Sequence, residues 1–174
     1  MTNHSFKIFE KVKDLPSNWD QVAHQNVFLQ RAYLSVLQTA APLNMTCYFV
    51  GIYENSKLIG VAIAQHINLN YLQSYGARDS STKNFFRNFV FKKWASQVLF
   101  IGNNTVTGQN AFTFETEIPF DKISVLLYEM KKKLIAYLKD VNSSIHLVSI
   151  KDFYQDCAFE LQNNGLSKLY CYES

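Results

Sequence analysis

The chain has 174 residues and a formal net charge of +3, which is too small to indicate nucleic acid or a membrane surface as a partner. Its three cysteines are an odd number without CxxC spacing, which is typical of free thiols in a reducing compartment. No apolar run approaches the roughly 20 residues that span a bilayer. We therefore expect a single domain over residues 1–174, located in the cytoplasm and without a membrane span.

The first 45 residues are predicted to form a strand and two helical segments. Phe6–Val12 alternates weakly and is the expected first strand. Ser17 or Asn18 is the expected N-cap of the first helical segment, and Pro42 ends the second. The apolar positions of that second helix are predicted to be buried along one stripe, namely Phe28, Leu29, Ala32, Tyr33, Val36, Leu37 and Ala40.

The stretch Thr46–Asn70 predicts a hairpin. Two apolar runs flank the polar pair Asn55-Ser56, which is a signal for a tight turn between antiparallel strands. A two-residue turn at that point would place Gly51 directly opposite Gly60 and leave a notch without side chains.

The second strand of this hairpin has two different faces. From Ile59 onward, large apolar residues alternate with small ones, so one face is predicted to lie on a core. The small residues Gly60, Ala62 and Ala64 leave room for a helix on the opposite face. The polar end at His66–Asn70 is expected to meet water or a ligand.

The second half of the chain alternates between helices and strands. The expected elements are a helix at Thr82–Ser96, a strand at Val98–Ile101, a short strand around Phe112 and Phe114, a helix with apolar positions from Ile123 to Leu138, a strand at Ile145–Ile150, a helix at Asp152–Asn163 and a strand at Leu166–Tyr172. This order predicts an α/β (α+β) fold with a mixed, mostly antiparallel central sheet flanked by helices.

Four segments in this order resemble the acyl-CoA N-acyltransferase (GNAT) superfamily, in its FemAB-like, peptidoglycan-related branch. They are FLQRAYLSVLQTAAP at Phe28–Pro42, FVGIYENSKLIGVAIAQ in the hairpin, GNNTVTGQ at Gly102–Gln109, and CAFELQNNGLSKLYCYE near the end. The resemblance implies a GNAT-like domain that moves an acyl or aminoacyl group from a thioester or ester donor to a small-molecule or peptide-like amine. Since FemAB-like proteins usually contain two such domains, it also implies a second GNAT-like domain as a partner.

The same resemblance implies that the loop after the central strand lies near an acyl-CoA. The donor-binding residues would be Gly102, Asn103, Asn104, Thr105, Thr107, Gly108 and Gln109. Glycines permit unusual backbone angles, and the amide and hydroxyl side chains offer hydrogen-bond donors. The alternative for this segment is an ordered polar surface loop. Unlike the family's loop, this one contains no Arg or Lys.

Few residues are candidates for catalysis. His66 and Gln65 lie at the polar end of the long strand, and Glu115 could act with Glu117 as an acid/base pair. No cluster has metal-ligand spacing, so no metal is expected. Many family members have Tyr where this chain has Leu161, which favours an alternative function as a catalytically silent domain that supports a partner domain or binds a ligand.

The basic and aromatic segment Lys83–Lys93 could contact phosphate groups of a nucleic acid or of lipid headgroups. A helix with one buried Phe face and one solvated basic face explains the same pattern. We favour the second interpretation and do not expect a nucleic-acid partner.

Overall fold

The computed structural model describes residues 4–71, 96–108, 110–141 and 143–150. The predicted elements at Asp152–Asn163 and Leu166–Tyr172, and the predicted helix at Thr82–Ser96 apart from Ser96, lie outside these residues. Within them the elements are β1 (His4–Phe9), α1 (Trp19–Val22), α2 (Arg31–Ala40), β2 (Met45–Glu54), β3 (Lys57–Asn68), β4 (Gln97–Ile101), β5 (Phe112–Phe114), α3 (Phe120–Asp140) and β6 (Leu147–Ile150).

The six described strands form one mixed sheet in the order β1-β2-β3-β4-β6, with β5 paired to β3 beyond the end of β4. All pairs are antiparallel except β4 with β6, which is parallel. The predicted fold class is therefore confirmed. So is the inner position of the strand at Val98–Ile101, because β4 has a paired neighbour on each side.

Each face of the sheet carries its own hydrophobic core. On one face, α3 packs over Ala62 and Ala64, as the small residues of β3 predict. The predicted apolar positions of α3 are all buried, namely Ile123, Leu126, Leu127, Met130, Leu134 and Leu138. On the other face, Val61 and Ile63 pack in one cluster with Trp19 of α1 and the α2 side chains. Long apolar runs in β2 and β3 follow from this coverage on both sides.

The hairpin forms at the predicted turn, but its register differs from the expected one. Asn55 and Ser56 both have positive φ, at 47° and 69°, which is the pattern of a type I′ turn. A bulge next to Tyr53 then shifts the register, so that Gly60 lies opposite Ile52. The predicted pairing of Gly51 with Gly60 is therefore wrong, because an extra residue in β3 displaces every later pair by one.

The predicted apolar stripe of the second helix is also partly wrong. Leu34, which lies outside that stripe, is fully buried, and Val36 within it is 64% exposed. The cause is a break at Gln30, whose extended backbone separates a 3-10 turn at Val27–Leu29 from α2. The helical phase therefore starts again at Arg31 and does not continue from Phe28.

Candidate functional site

Strands β4 and β5 run along the same side of β3 and are separated by a loop over residues 102–110. The N–H of Gly102 donates to the carbonyl of Ile63 at 3.0 Å, and the N–H of Ile63 donates to the carbonyl of Ala111 at 2.9 Å. Both ends of the loop therefore meet at one residue of β3. The segment therefore leaves the sheet and returns to the same point of β3, as an Ω-loop does, and it is not a crossover connection.

A buried amide pair forms the base of this loop. The Gln65 and Asn103 side chains are almost completely inaccessible to solvent. Gln65 Nε2 donates to Asn103 Oδ1 at 3.4 Å, and Gln65 Oε1 accepts from the backbone N–H of Asn104 at 2.8 Å. Sequence analysis placed Gln65 near a substrate, whereas the structure places it beneath the loop, where its hydrogen-bonding groups hold the loop in place.

A closed ring of hydrogen bonds ties the same loop to α2. Asn103 Nδ2 donates to the Tyr33 hydroxyl at 3.1 Å, and that hydroxyl lies 2.8 Å from Thr105 Oγ1. Thr105 Oγ1 donates back to Asn103 Oδ1 at 2.6 Å. Networks of this kind, in which every member has a partner, rigidify the backbone that they support. The base of the loop is thus fixed before any ligand arrives.

The outer part of the loop is accessible. Thr105, Thr107 and Gly108 are exposed, and the backbone of Gly108 has a φ of 92° that favours glycine. Asn104 Nδ2 is buried, and the described residues offer it no hydrogen-bond partner. Gln109 lies outside the described residues.

An open groove of about 450 Å³ follows the edge of β5. Its walls come from β5, from the connection to α3, from the first turn of α3 and from one residue of the opposite face: Gln25, Phe112, Thr113, Phe114, Thr116, Glu117, Ile118 and Ile123. Among the described residues, β5 pairs with no strand other than β3. Sequence analysis missed this groove, since a three-residue strand gives no pattern that distinguishes an edge from a centre.

The two glutamates of the predicted acid/base pair lie in different surroundings. Glu115 follows β5 and forms an ion pair with Lys57 from the start of β3. Glu117 is exposed and lines the groove. The structure thus leaves only Glu117 of the pair facing the groove.

The N-terminus of α3 borders the same groove, but its surroundings are acidic. The helix is preceded by Glu115 and Glu117 and has Asp121 in its first turn. A phosphate would meet the favourable end of the helix dipole there, but it would also meet the carboxylates of Glu117 and Asp121, while Lys122 of the same turn is paired with Glu54. These residues do not provide a basic site for the phosphate groups of an acyl-CoA.

His66 is separated from the loop, although it follows Gln65 directly. Successive residues of a strand point to opposite faces, so His66 lies on the α3 side of the sheet. It pairs with Thr46 of β2 and Leu99 of β4. Partial burial lowers the pKa of its imidazole, against a smaller opposite effect of a hydrogen bond with the Ser144 backbone. The candidates His66, Gln65 and Glu115 therefore lie in three separate places.

No protein-family model, curated protein or solved structure matches the chain. In the described ranges, no helix is both long enough and apolar enough to cross a membrane. The same ranges contain no group of three or more His, Cys, Asp or Glu residues that could hold a metal ion.

Proposed function

We propose that the chain is an N-acyltransferase-like domain, which moves an acyl or aminoacyl group from a thioester or ester donor to an amine. The observation that supports this proposal most directly is the groove along β5. A transferase of this type needs a strand edge along which an extended donor arm can lie, and the groove borders such an edge.

The hydrogen-bond pattern of β5 suits an arm that contains amides. Glu115 N–H donates to the carbonyl of Ile59, so Phe114 faces Gly60 in a non-hydrogen-bonded pair. In an antiparallel ladder, the N–H and C=O of such a residue point away from the partner strand. Phe114 therefore presents both groups on the groove side. The pantetheine arm of an acyl-CoA, with its two amides, could add to this edge as a short strand.

The chemistry would depend on positioning. The amine nitrogen attacks the acyl carbonyl, a C–N bond forms, the C–S or C–O bond to the carrier breaks, and the amine proton passes to a base or to water. Glu117 is the carboxylate of the groove, and its negative charge would attract a cationic amine. No covalent enzyme intermediate is needed.

The protein would bind an acyl-CoA donor mainly through its pantetheine arm and acyl group, and less through its phosphate groups. The carboxylates around the start of α3 oppose a phosphate at that helix end. The outer residues Thr107 and Gly108 are exposed in the loop that leads into β5, and their carbonyls accept hydrogen bonds from Asn110.

A catalytically silent, ligand-binding domain is the second candidate. Two observations favour it. The loop at Gly102–Gln109 has no cationic side chain, and the amides of Gln65 and Asn103 at its base bind each other. A loop that is stabilised internally can hold a partner or ligand without performing chemistry.

Calorimetric titration with acetyl-CoA tests the donor binding that the transferase proposal requires. We expect saturable heat for the natural chain and its loss in Thr113→Trp, which fills the groove. Thr39→Trp, on the exposed part of α2, is the matched control and should bind normally. An absence of heat and of a thermal shift in the natural chain would contradict the transferase proposal.

A further inference from the structure

A second pocket, of about 300 Å³, lies at the opposite end of β3 from the hairpin turn. Three strand ends and the connection between α3 and β6 enclose it, through Leu43, Asn44, Thr46, His66, Asn68, Gln97, Ser143 and Ser144. His66 lies four positions along β3 from Ala62, where β5 begins, which is about 13 Å along the strand. The pocket is thus distinct from the groove and independent of the proposed acyl transfer.

The lining of this pocket is polar and uncharged. Its described residues have amide, hydroxyl and imidazole side chains, apart from the apolar Leu43. Among these described residues, none has a carboxylate, ammonium or guanidinium side chain. A charged ligand would lose hydration here without meeting an opposite charge, whereas a neutral ligand with several hydrogen-bonding groups would exchange water for protein partners.

The imidazole of His66 is a contact for one of the hydrogen-bonding groups of such a ligand. Its Nε2 atom is buried, and it has no hydrogen-bond partner among the described residues. In a neutral imidazole, one ring nitrogen is an N–H donor and the other is an acceptor. A buried ring nitrogen without a partner needs a hydrogen-bonding group from a water or a ligand.

We propose that this pocket binds a small neutral polyhydroxylated molecule of monosaccharide size, with one hydroxyl hydrogen-bonded to His66 Nε2. The exposed hydroxyl of Thr46, which lies directly opposite His66 on β2, supplies a second contact. The side-chain amides of Gln97 and Asn68 line the same pocket, where the Asn68 oxygen accepts from the Asn70 N–H, and they provide contacts for the remaining hydroxyls. A pocket of this size is at the lower end of small-molecule sites, so weak binding is expected.

Imidazole ¹⁵N NMR of the full chain, titrated with glucose, tests the proposal. The Nε2 resonance of His66 should move saturably, while those of the distant His4 and His24 stay unchanged. Thr46→Val, which keeps the side-chain shape, should weaken glucose binding by about three- to tenfold. Thr39→Val on α2 is the control and should leave it unaltered.

Three outcomes would overturn the proposal. The first is a His66 resonance that does not respond to glucose. The second is a response that grows linearly and equally at all four histidines, which would indicate a bulk solvent effect. The third is binding of glucosamine or gluconate as tight as that of glucose, which would contradict recognition of a neutral ligand.

Discussion

Gln65 and Asn104 are joined by a hydrogen bond of 2.8 Å, in which a strand side chain accepts from a loop backbone N–H. The bond connects the inside of the sheet to the loop that precedes the groove. Because Gln65 is fully buried, replacing its amide leaves the N–H of Asn104 without this acceptor inside the protein.

Gln65→Leu should therefore destabilise the fold, even though leucine is apolar and of similar size. We expect the free energy of unfolding to fall by about 1–3 kcal/mol in urea titrations. Gln21→Leu, on the exposed surface of α1, is the control and should change it by less than about 0.5 kcal/mol. Equal effects of the two substitutions would show that the amide network does not stabilise the loop.

The close approach of Phe114 to Gly60 gives a second prediction. A Cβ atom at Gly60 would lie 2.4 Å from Cδ1 of the Phe114 ring, which no relaxed structure permits. Gly60→Ala should push the ring away, loosen β5 and cost about 1–3 kcal/mol of unfolding free energy. Combining it with Phe114→Leu should recover part of that loss, as a double-mutant cycle would measure. Strictly additive effects would contradict the contact.

A substitution in the hairpin turn should stabilise the fold. Ser56 has a φ of 69°, a conformation that costs a serine energy but a glycine almost none. Ser56→Gly should raise the free energy of unfolding by about 0.5–1 kcal/mol, since Asn-Gly is the preferred pair of a type I′ turn. Ser35→Gly inside α2 should lower it by a similar amount. A loss of stability in Ser56→Gly would contradict the turn geometry.

Alkaline pH should destabilise the fold through Cys47. Burial raises the pKa of this thiol from 9.0 to about 11. Between these two values the unfolded chain loses the thiol proton and the folded chain keeps it, so stability that is fully present below pH 9 declines as the pH rises toward 11. Cys47→Val should show a shallower decline of the free energy of unfolding over this range. Parallel declines in the two proteins would contradict the assignment.

Local patterns of the sequence were sufficient for much of the fold. The turn at Asn55-Ser56, the strand β4 and the buried face of α3 were all predicted from a periodicity or a turn signal within a few residues, whereas the inner position of β4 was expected only from the resemblance. The register of the hairpin was not, since the bulge beside Tyr53 depends on how both faces of the sheet are packed. The break before α2 at Gln30 was not predicted either, because no Pro or Gly lies at that position to indicate it.

Less of the loop after β4 and of the groove beside β5 could be predicted from the sequence. The polar segment after β4 was recognisable from its composition, but its anchoring at Ile63 depends on two backbone hydrogen bonds between distant residues. The side chain of Asn103 was expected to face a ligand, and it is instead 2% exposed beneath the loop. The groove beside Phe114 forms because β4 and β5 pair with successive parts of β3. No single segment of the sequence shows that these two strands share a partner.

Amide hydrogen exchange at Phe114, followed by NMR with and without acetyl-CoA, tests the central claim most directly. If an extended donor arm adds to the edge of β5, exchange at the outward-facing N–H of Phe114 should slow when acetyl-CoA binds. Exchange at Thr113, whose N–H faces Val61 of β3, should not change. Exchange at Phe114 that stays the same at saturating acetyl-CoA would contradict the proposed docking along this edge.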